Sequence, residues 1–243
     1  MLDGGALALH KPPMNAPAPL LSGPRLAAKS GVAKQLVVFL HGYGADGKDL
    51  IEVGRQWQKI LPDTAFVSPN APEPCAMSPM GRQWFGLTMR DPNERWVGVC
   101  KARPILDAFL DAELKAANLP DSALALVGFS QGTMMALHVG PRRAHAPAAI
   151  VGFSGVLVGP EHLAEATARS PRGEPPPVLL VHGEADETIP VEAMFQSAED
   201  LAKANIPAQW HLSRGIGHGI DSGGLLHGGM FLASAFGVKL PRR

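Results

Sequence analysis

The chain has 243 residues, of which 46% are hydrophobic and 18% are charged. This apolar content is sufficient for a globular core of ordinary size and excludes a disordered or highly charged polymer. Lysine plus arginine and aspartate plus glutamate both number 22, so the formal net charge is zero. Because no basic cluster is present, the sequence predicts neither nucleic-acid binding nor attachment to a membrane surface.

The cysteine content and the N-terminal sequence indicate the cellular compartment in which the protein is expected to act. The chain contains only Cys75 and Cys100, which have no metal-site spacing and cannot form a disulfide framework. Free thiols are typical of a reducing compartment. There is no run of about 18 apolar residues that would insert into a membrane, and residues 1–10 lack the basic start of a signal peptide. We therefore expect a cytoplasmic protein with no stable membrane insertion.

Residues 1–24 contain five prolines among small residues. Such a segment buries little apolar surface, so we expect it to be flexible and separate from the fold. Regular structure is predicted to begin near Gln35. Residues 25–243 show no internal repeat and no linker, which predicts a single domain.

Short apolar runs alternate with helical patterns along this domain. Each run ends at glycine, serine or another turn residue, as expected for strands that are covered on both faces. The predicted strands are residues 36–40, 65–67, 123–127, 148–153, 178–181 and 209–212, and the clearest helices are residues 104–118 and 191–205. This alternation predicts an α/β fold with a mostly parallel central sheet and helices on both faces.

One motif of the form G-x-S-x-G follows a predicted strand and precedes a helical stretch. It reads Gly128-Phe129-Ser130-Gln131-Gly132. A strand that turns at once into a helix holds its middle residue in a strained conformation, and only small flanking residues allow the close approach of the backbones. The motif therefore predicts that Ser130 is an exposed nucleophile. The alternative is a glycine-rich turn in which Ser130 merely caps the helix.

A serine nucleophile needs a base, and the base needs an acid to orient it. In a fold of this kind the chain order is serine, acid, histidine. Asp186 follows the strand predicted at residues 178–181, and His218 lies in a glycine-rich loop after the last strand. Their order and their positions at strand ends predict that Asp186 is the acid and His218 the base.

Other acidic and histidine side chains lie near these positions and remain alternatives. A different bend of the loop would allow a neighbouring glutamate to act as the acid. The other histidines are less suitable bases, because they are predicted to lie within a strand, within a helix or at the end of a buried strand. These alternatives are Glu184 and Glu187 for the acid, and His182, His211 and His227 for the base.

Attack on a carbonyl also requires hydrogen-bond donors for the oxyanion. Gln131 follows the nucleophile and offers its backbone N–H at the start of the helix. A second donor is expected from residues 41–47, the loop after the first long strand, because its three glycines allow the backbone to fold under a substrate. The alternative for this loop is a flexible turn before a helix that begins near Lys48.

Four motifs together resemble the phospholipase/carboxylesterase family of small α/β-hydrolases, which includes acyl-protein thioesterases and bacterial carboxylesterases. They are residues 41–50 (HGYGADGKDL), 128–132 (GFSQG), 182–186 (HGEAD) and 217–218 (GH). The resemblance extends from about residue 35 to residue 237. It implies an α/β-hydrolase fold without a large cap domain. It also implies cleavage of carboxylic esters or thioesters with neither cofactor nor metal.

The resemblance also implies roles for individual residues. Ser130 matches the nucleophile, Asp186 the acid and His218 the base. Tyr43, at a position where the family often has leucine, and Gln131 match the two backbone oxyanion donors. The sequence departs from the family at Gly86, where the corresponding loop commonly ends in aspartate.

The stretch from Cys75 to Met89 is rich in methionine and aromatic residues and is interrupted by proline and glycine. Flexible apolar side chains on a loop suit an adaptable wall for an acyl chain. Trp84 and Phe85 are therefore predicted substrate contacts, with Trp84 the strongest candidate. The alternative is that these side chains are part of the core at the edge of the sheet. The same stretch offers a surface for a homodimer, which the sequence does not decide.

Taken together, these residues predict a serine carboxylesterase that forms an acyl-enzyme on Ser130. The partner is a small ester or thioester substrate. Histidine has an ordinary pKa of about 6.5, which suits a base at neutral pH, so activity should fall in acid. An acyl-protein thioesterase or a lysophospholipase is the alternative enzyme, and a catalytically silent binding module is the alternative of another class.

Overall fold

The computed structural model describes residues 21–88, 90–91, 93–164 and 174–239. Strands and helices alternate along these residues. The strands are β1 (Arg25–Leu26), β2 (Gln35–Leu40), β3 (Thr64–Val67), β4 (Glu73–Pro74), β5 (Arg82–Gln83), β6 (Leu124–Phe129), β7 (Ala149–Phe153), β8 (Val178–Gly183) and β9 (Ala208–Ser213). The helices are α1 (Gly47–Trp57), α2 (Glu94–Ala117), α3 (Gln131–Val139), α4 (Glu192–Lys203) and α5 (Ser222–Ala235).

Seven of the described strands form one sheet in the order β1-β3-β2-β6-β7-β8-β9. All neighbours in this sheet are parallel except β1, which is antiparallel to β3. The central strands β2, β6, β7 and β8 are buried almost throughout, because helices cover the sheet on both faces. The parallel arrangement brings the carboxyl ends of β6, β7 and β8 to one edge of the sheet, where ligands bind in folds of this type.

Two apolar clusters form the core, one on each face of the sheet. Helices α2, α3 and α4 contribute to the first cluster, and α1 and α5 contribute to the second. This layered arrangement confirms the predicted α/β class. Within the described ranges, no cap domain is inserted between the strands.

The N-terminal boundary of the fold was predicted too far along the chain. Leu21 is buried, and the carbonyls of Ser22 and Pro24 accept hydrogen bonds from the backbone of Asn70 and Ser68. The short strand β1 follows, so regular structure begins well before Gln35. Two residues of strand are too few to give a recognisable periodicity, which explains the error. Of the segment predicted to be flexible, residues 1–20 lie outside the described residues.

The predicted strands all correspond to observed strands, but α2 is longer than expected. It begins at Glu94 and passes through Pro104 without ending there. A proline in a helix interior costs about 3 kcal/mol because a backbone hydrogen bond is lost. Here the helix continues because it buries an apolar face on both sides of the proline, including Val99 and Leu106. Tertiary burial therefore overrides the local helix-breaking signal.

Neither cysteine forms a disulfide, and Cys75 is buried while Cys100 is exposed. No helix in the described part of the chain has both the length and the apolar character required to cross a membrane.

Candidate active site

Ser130 occupies the sharp turn between β6 and α3. Its backbone angles are φ 54° and ψ −115°, a strained conformation for a residue with a side chain. A Cβ atom on Gly132 would lie 1.8 Å from the carbonyl oxygen of Leu40, and one on Gly128 would lie 2.4 Å from the backbone of Gly132. Both flanking glycines are therefore required by the packing of the turn, as the sequence predicted.

The side chain of Ser130 is not used as a helix cap. It makes no capping hydrogen bond at the start of α3, whereas its backbone N–H donates to the carbonyl of Phe153 at 2.9 Å. This backbone bond joins the turn to the end of β7. The observation argues against the alternative in which Ser130 only caps the helix, and it leaves the hydroxyl at the catalytic edge of the sheet.

Asp186 and His218 are hydrogen-bonded to each other, as their predicted roles require. The Nδ1 atom of His218 lies 2.8 Å from Oδ2 of Asp186. Because a carboxylate can only accept, Nδ1 carries the hydrogen and Nε2 is the basic nitrogen. The ring of Phe129, next to Ser130, lies 5.0 Å from the His218 ring between centroids. The histidine is therefore packed against the nucleophile turn.

Burial raises the pKa of the Asp186 carboxyl, but three hydrogen bonds outweigh this effect and hold the pKa below its usual value. Two of them come from the backbone N–H groups of Ile189 and Thr188, each 2.9 Å from Oδ1. The third comes from His218. The carboxyl is therefore ionised at neutral pH and suited to stabilise an imidazolium.

The alternative acids and bases are placed less favourably. Glu184 and Glu187 are exposed, and the Glu184 carboxylate accepts a hydrogen bond from the backbone of Gly215 at 3.1 Å. His211 and His227 stack on each other with ring centroids 4.1 Å apart. In the part of the chain that the structure describes, no hydrogen bond links any of these four side chains to Ser130. His182, by contrast, contacts Asp186, which the sequence did not reveal.

The predicted oxyanion loop passes beside the nucleophile. A Cβ on Gly42 would lie 3.1 Å from the ring of Phe129 and 3.4 Å from the Cβ of Ser130. The N–H of Gly44 donates to Arg82 at 2.9 Å, which fixes the loop against β5. Partial burial and a hydrogen bond with the Cys75 thiol raise the pKa of the Tyr43 hydroxyl. The backbone donor roles of Tyr43 and Gln131 remain predictions, supported by this proximity.

Trp84 and Phe85 are buried, with 1% and 2% of their surfaces exposed. The Trp84 indole donates to the carbonyl of His41 at 3.0 Å. Phe85 packs so closely on α2 that a Cβ on Gly98 would lie 2.3 Å from its ring. This placement favours the core alternative over the predicted substrate contacts. Of the other apolar side chains in this stretch, Met77 and Met80 are exposed, and Met89 lies outside the described residues.

Two buried polar side chains near the site were not recognised from the sequence. The Nε2 atom of His41 accepts a hydrogen bond from the backbone of Ala71 at 3.0 Å, and burial lowers its pKa. The side-chain amide of Gln131 binds the backbone of Trp84 and Phe85. Both residues belong to motifs already identified, but a motif does not show where a side chain points.

A metal centre is not indicated by the described side chains. In the ranges given above, no three or more histidine, cysteine, aspartate or glutamate residues are grouped so that they would hold a metal ion.

Comparison with known proteins places the chain in a family. The family model described as Phospholipase/Carboxylesterase matches residues 21–234. The chain therefore belongs to the phospholipase/carboxylesterase family. The chain is a carboxylic ester hydrolase with the α/β-hydrolase fold, and the sequence-based prediction of family, fold and enzyme class is confirmed.

Similar proteins include other esterases and thioesterases. The chain is 27% identical to esterase YpfH of Escherichia coli (strain K12) over 191 residues, which is 78% of each chain. It is 26% identical to acyl-protein thioesterase 1 of Gibberella zeae over 194 residues, 75% of this chain and 82% of the relative. The crystal structure of esterase PE8 is 44% identical, with a TM-score of 0.84 over 89% of this chain and 99% of that one.

Proposed function

We propose that this carboxylesterase of the phospholipase/carboxylesterase family uses Ser130, His218 and Asp186 as a catalytic triad. The observation that carries the proposal is the 2.8 Å hydrogen bond between His218 and Asp186, with the His218 ring packed on Phe129 in the strained turn that holds Ser130. A nucleophilic serine, a histidine whose Nε2 is the basic nitrogen and an ionised carboxylate together form the machinery for acyl transfer.

In the first half of the reaction, Nε2 of His218 takes the proton of the Ser130 hydroxyl as its oxygen attacks the ester carbonyl. The oxyanion accepts hydrogen bonds from the backbone of Tyr43 and Gln131. His218 then gives the proton to the departing alcohol as the C–O bond breaks, which leaves an acyl group on Ser130. The Asp186 carboxylate stabilises the imidazolium throughout.

In the second half, water replaces the alcohol. His218 removes a proton from water, the resulting oxygen nucleophile attacks the acyl-enzyme, and the proton is returned to Ser130 as the carboxylic acid leaves. No further reactant is required. The preferred substrates in this proposal are uncharged or weakly charged carboxylic esters.

Thioester hydrolysis is a second candidate function. The observation that favours it is the similarity to acyl-protein thioesterase 1 of Gibberella zeae over 75% of this chain. The same triad chemistry cleaves esters and thioesters, because only the leaving group differs. Relative rates on matched acyl esters and thioesters would decide between the two.

The proposal is tested with p-nitrophenyl esters from acetate to palmitate, using the wild-type chain and Ser130→Ala. We expect turnover that Ser130→Ala abolishes, and labelling of the wild-type chain alone by a fluorophosphonate. A maximum at long acyl chains would favour a thioesterase or lysophospholipase. Near-wild-type rates for Ser130→Ala would overturn the mechanism, and folded wild-type protein with neither turnover nor labelling would leave a silent binding module.

A further inference from the structure

A second histidine lies against the carboxylate of Asp186. The Nε2 atom of His182 is 3.3 Å from Oδ2 of Asp186, the same oxygen that binds His218. His182 is 1% exposed and lies at the end of β8, so solvent does not separate the two groups. The mechanism above gives this imidazole no task.

The hydrogen-bond partner of His182 defines the position of its proton. Nε2 lies 2.8 Å from the carbonyl oxygen of Ile189. Because a carbonyl oxygen only accepts, Nε2 carries the hydrogen. The positive end of this N–H dipole is therefore beside Oδ2 of Asp186, where it favours the ionised carboxylate.

The same histidine closes the loop that carries Asp186. Ile189 donates its N–H to Oδ1 of Asp186 at 2.9 Å and accepts from His182 through its carbonyl. His182, Ile189 and Asp186 thus form a closed set of contacts between the end of β8 and residue 189. This set fixes the plane of the carboxylate so that Oδ2 faces His218.

Within the described ranges, few other ionisable groups lie near His182, Ile189 and Asp186. Glu184 and Glu187 of the same loop and Glu192 at the start of α4 are exposed. On the neighbouring strands, β7 has no ionisable side chain, and His211 of β9 stacks on His227 of α5. Asp186 is therefore the charged group that His182 contacts directly, and His218 is reached through the same carboxylate oxygen.

We propose that His182 is a positioning residue that holds the Asp186 carboxylate and weakens its attraction for the proton on His218, and so sets the pH below which activity falls. This inference rests on the proposed triad. Without the His182 dipole, the carboxylate attracts the His218 imidazolium more strongly, and His218 retains its proton to a higher pH. The acid limb of the pH–rate profile then moves to higher pH.

The decisive comparison is the pH dependence of kcat/KM, from pH 5 to 9, for the wild-type chain, His182→Leu and His182→Gln. For His182→Leu we expect a lower kcat and an acid limb displaced upward by about half a pH unit. His182→Gln retains an N–H donor, so its kcat and the position of its acid limb should both be close to those of the wild-type chain. A residue with a merely structural role would lower the rate at every pH without moving the limb.

His138→Leu is the matched control, because it also replaces a buried histidine, and the ring Nδ1 of His138 has no hydrogen-bond partner among the residues that the structure describes. Its acid limb should coincide with that of the wild-type chain. If His182→Leu does not fold, His182→Asn replaces it, because the shorter amide does not span the bond to Ile189. An unmoved limb in the folded His182 variant, or an equal displacement in the control, would overturn the inference.

The inference and the proposed function fail in different ways. If Ser130→Ala retains activity, the triad itself is wrong. If Ser130→Ala is inactive but the limb of His182→Leu stays in place, the triad stands and only the role of His182 is rejected.

Discussion

The side-chain amide of Gln131 is bound to the backbone of Trp84, with Oε1 accepting from the Trp84 N–H at 2.9 Å. Its Nε2 atom donates to the carbonyl of Phe85 at 2.7 Å. The Trp84 indole donates in turn to the carbonyl of His41, the first residue of the proposed oxyanion loop. The two segments that supply the proposed oxyanion donors are therefore connected through the side chains of Gln131 and Trp84.

Replacing Gln131 with alanine should lower kcat by roughly 10- to 100-fold while the backbone N–H at this position remains. The reason is that small displacements of catalytic groups cost rate steeply, and this variant releases the segment that holds His41. The measurement is kcat and KM on the best p-nitrophenyl ester.

Gln83→Ala is the control for the Gln131 variant. Gln83 is also buried and lies in the same segment, but its amide donates to Glu73. We expect its kcat to stay within about twofold of the wild-type value. Equal losses in the two variants would show that the connection between Gln131 and Trp84 has no specific effect.

Sequence patterns predicted the turn at Ser130, the long strands of the sheet and the pairing of Asp186 with His218. The G-x-S-x-G motif predicted the strained turn because a strand that turns at once into a helix brings backbones close together. A Cβ on Gly128 would meet the backbone of Gly132, and one on Gly132 would meet the Leu40 carbonyl. The long apolar strands were predicted for a similar reason, since burial on both faces requires a continuous apolar run. The Asp186–His218 bond followed from chain order and from their positions at strand ends.

Contacts between side chains distant in the sequence were not predictable in this way. Trp84 appeared suited to a substrate wall, but its burial depends on the amide of Gln131 and the carbonyl of His41, which no spacing rule relates to it. His182 was considered only as a less suitable base at the end of a buried strand, because its contact with Asp186 depends on how the loop to Ile189 bends. The start of α2 was missed because the proline signal is local, whereas the burial that overrides it is tertiary.

The strained backbone of Ser130 predicts a difference between two inactive variants. Ser130→Gly and Ser130→Ala both lack the nucleophile, but glycine adopts φ 54° and ψ −115° without strain because it has no Cβ, whereas the Cβ of alanine is strained there. We expect Ser130→Gly to exceed Ser130→Ala in free energy of unfolding by about 1 kcal/mol, since such strain costs roughly 1–3 kcal/mol and glycine loses some of the gain through the unfolded state. Urea unfolding at pH 7 measures the difference, and a more stable Ser130→Ala would contradict it.

Close packing at Gly132 predicts severe destabilisation by a single methyl group. In Gly132→Ala the new Cβ would lie 1.8 Å from the Leu40 carbonyl oxygen, so β2 and α3 must separate. We expect a loss of about 3 kcal/mol or more in the free energy of unfolding. Gly86→Ala serves as the control, because its Cβ would have only an ordinary contact at 3.6 Å. Thermal unfolding of both variants tests the prediction, which fails if their transition temperatures are equal.

Buried His138 predicts part of the sensitivity of the fold to acid. Burial, together with the positive charges of Arg142 and Arg103, lowers the pKa of His138 to about 3, whereas an unfolded histidine has a pKa of about 6.5. Between these two values the unfolded chain binds the proton and the folded chain does not. The contribution of His138 to stability is therefore complete above about pH 6.5 and decreases as the pH falls towards 3.

Removing this histidine should make the fold less sensitive to acid. Between pH 7 and pH 5, protonation of His138 in the unfolded chain should cost the wild-type protein about 2 kcal/mol of unfolding free energy. The loss over the same pH interval should therefore be about 2 kcal/mol smaller in His138→Leu. Urea unfolding at both pH values measures this difference, with the exposed His145→Leu as the control that should behave as the wild-type chain. Some sensitivity should remain in His138→Leu, because burial also lowers the pKa of His41. Equal losses for the wild-type chain and His138→Leu would mean that the unfolding transition is not coupled to protonation of His138.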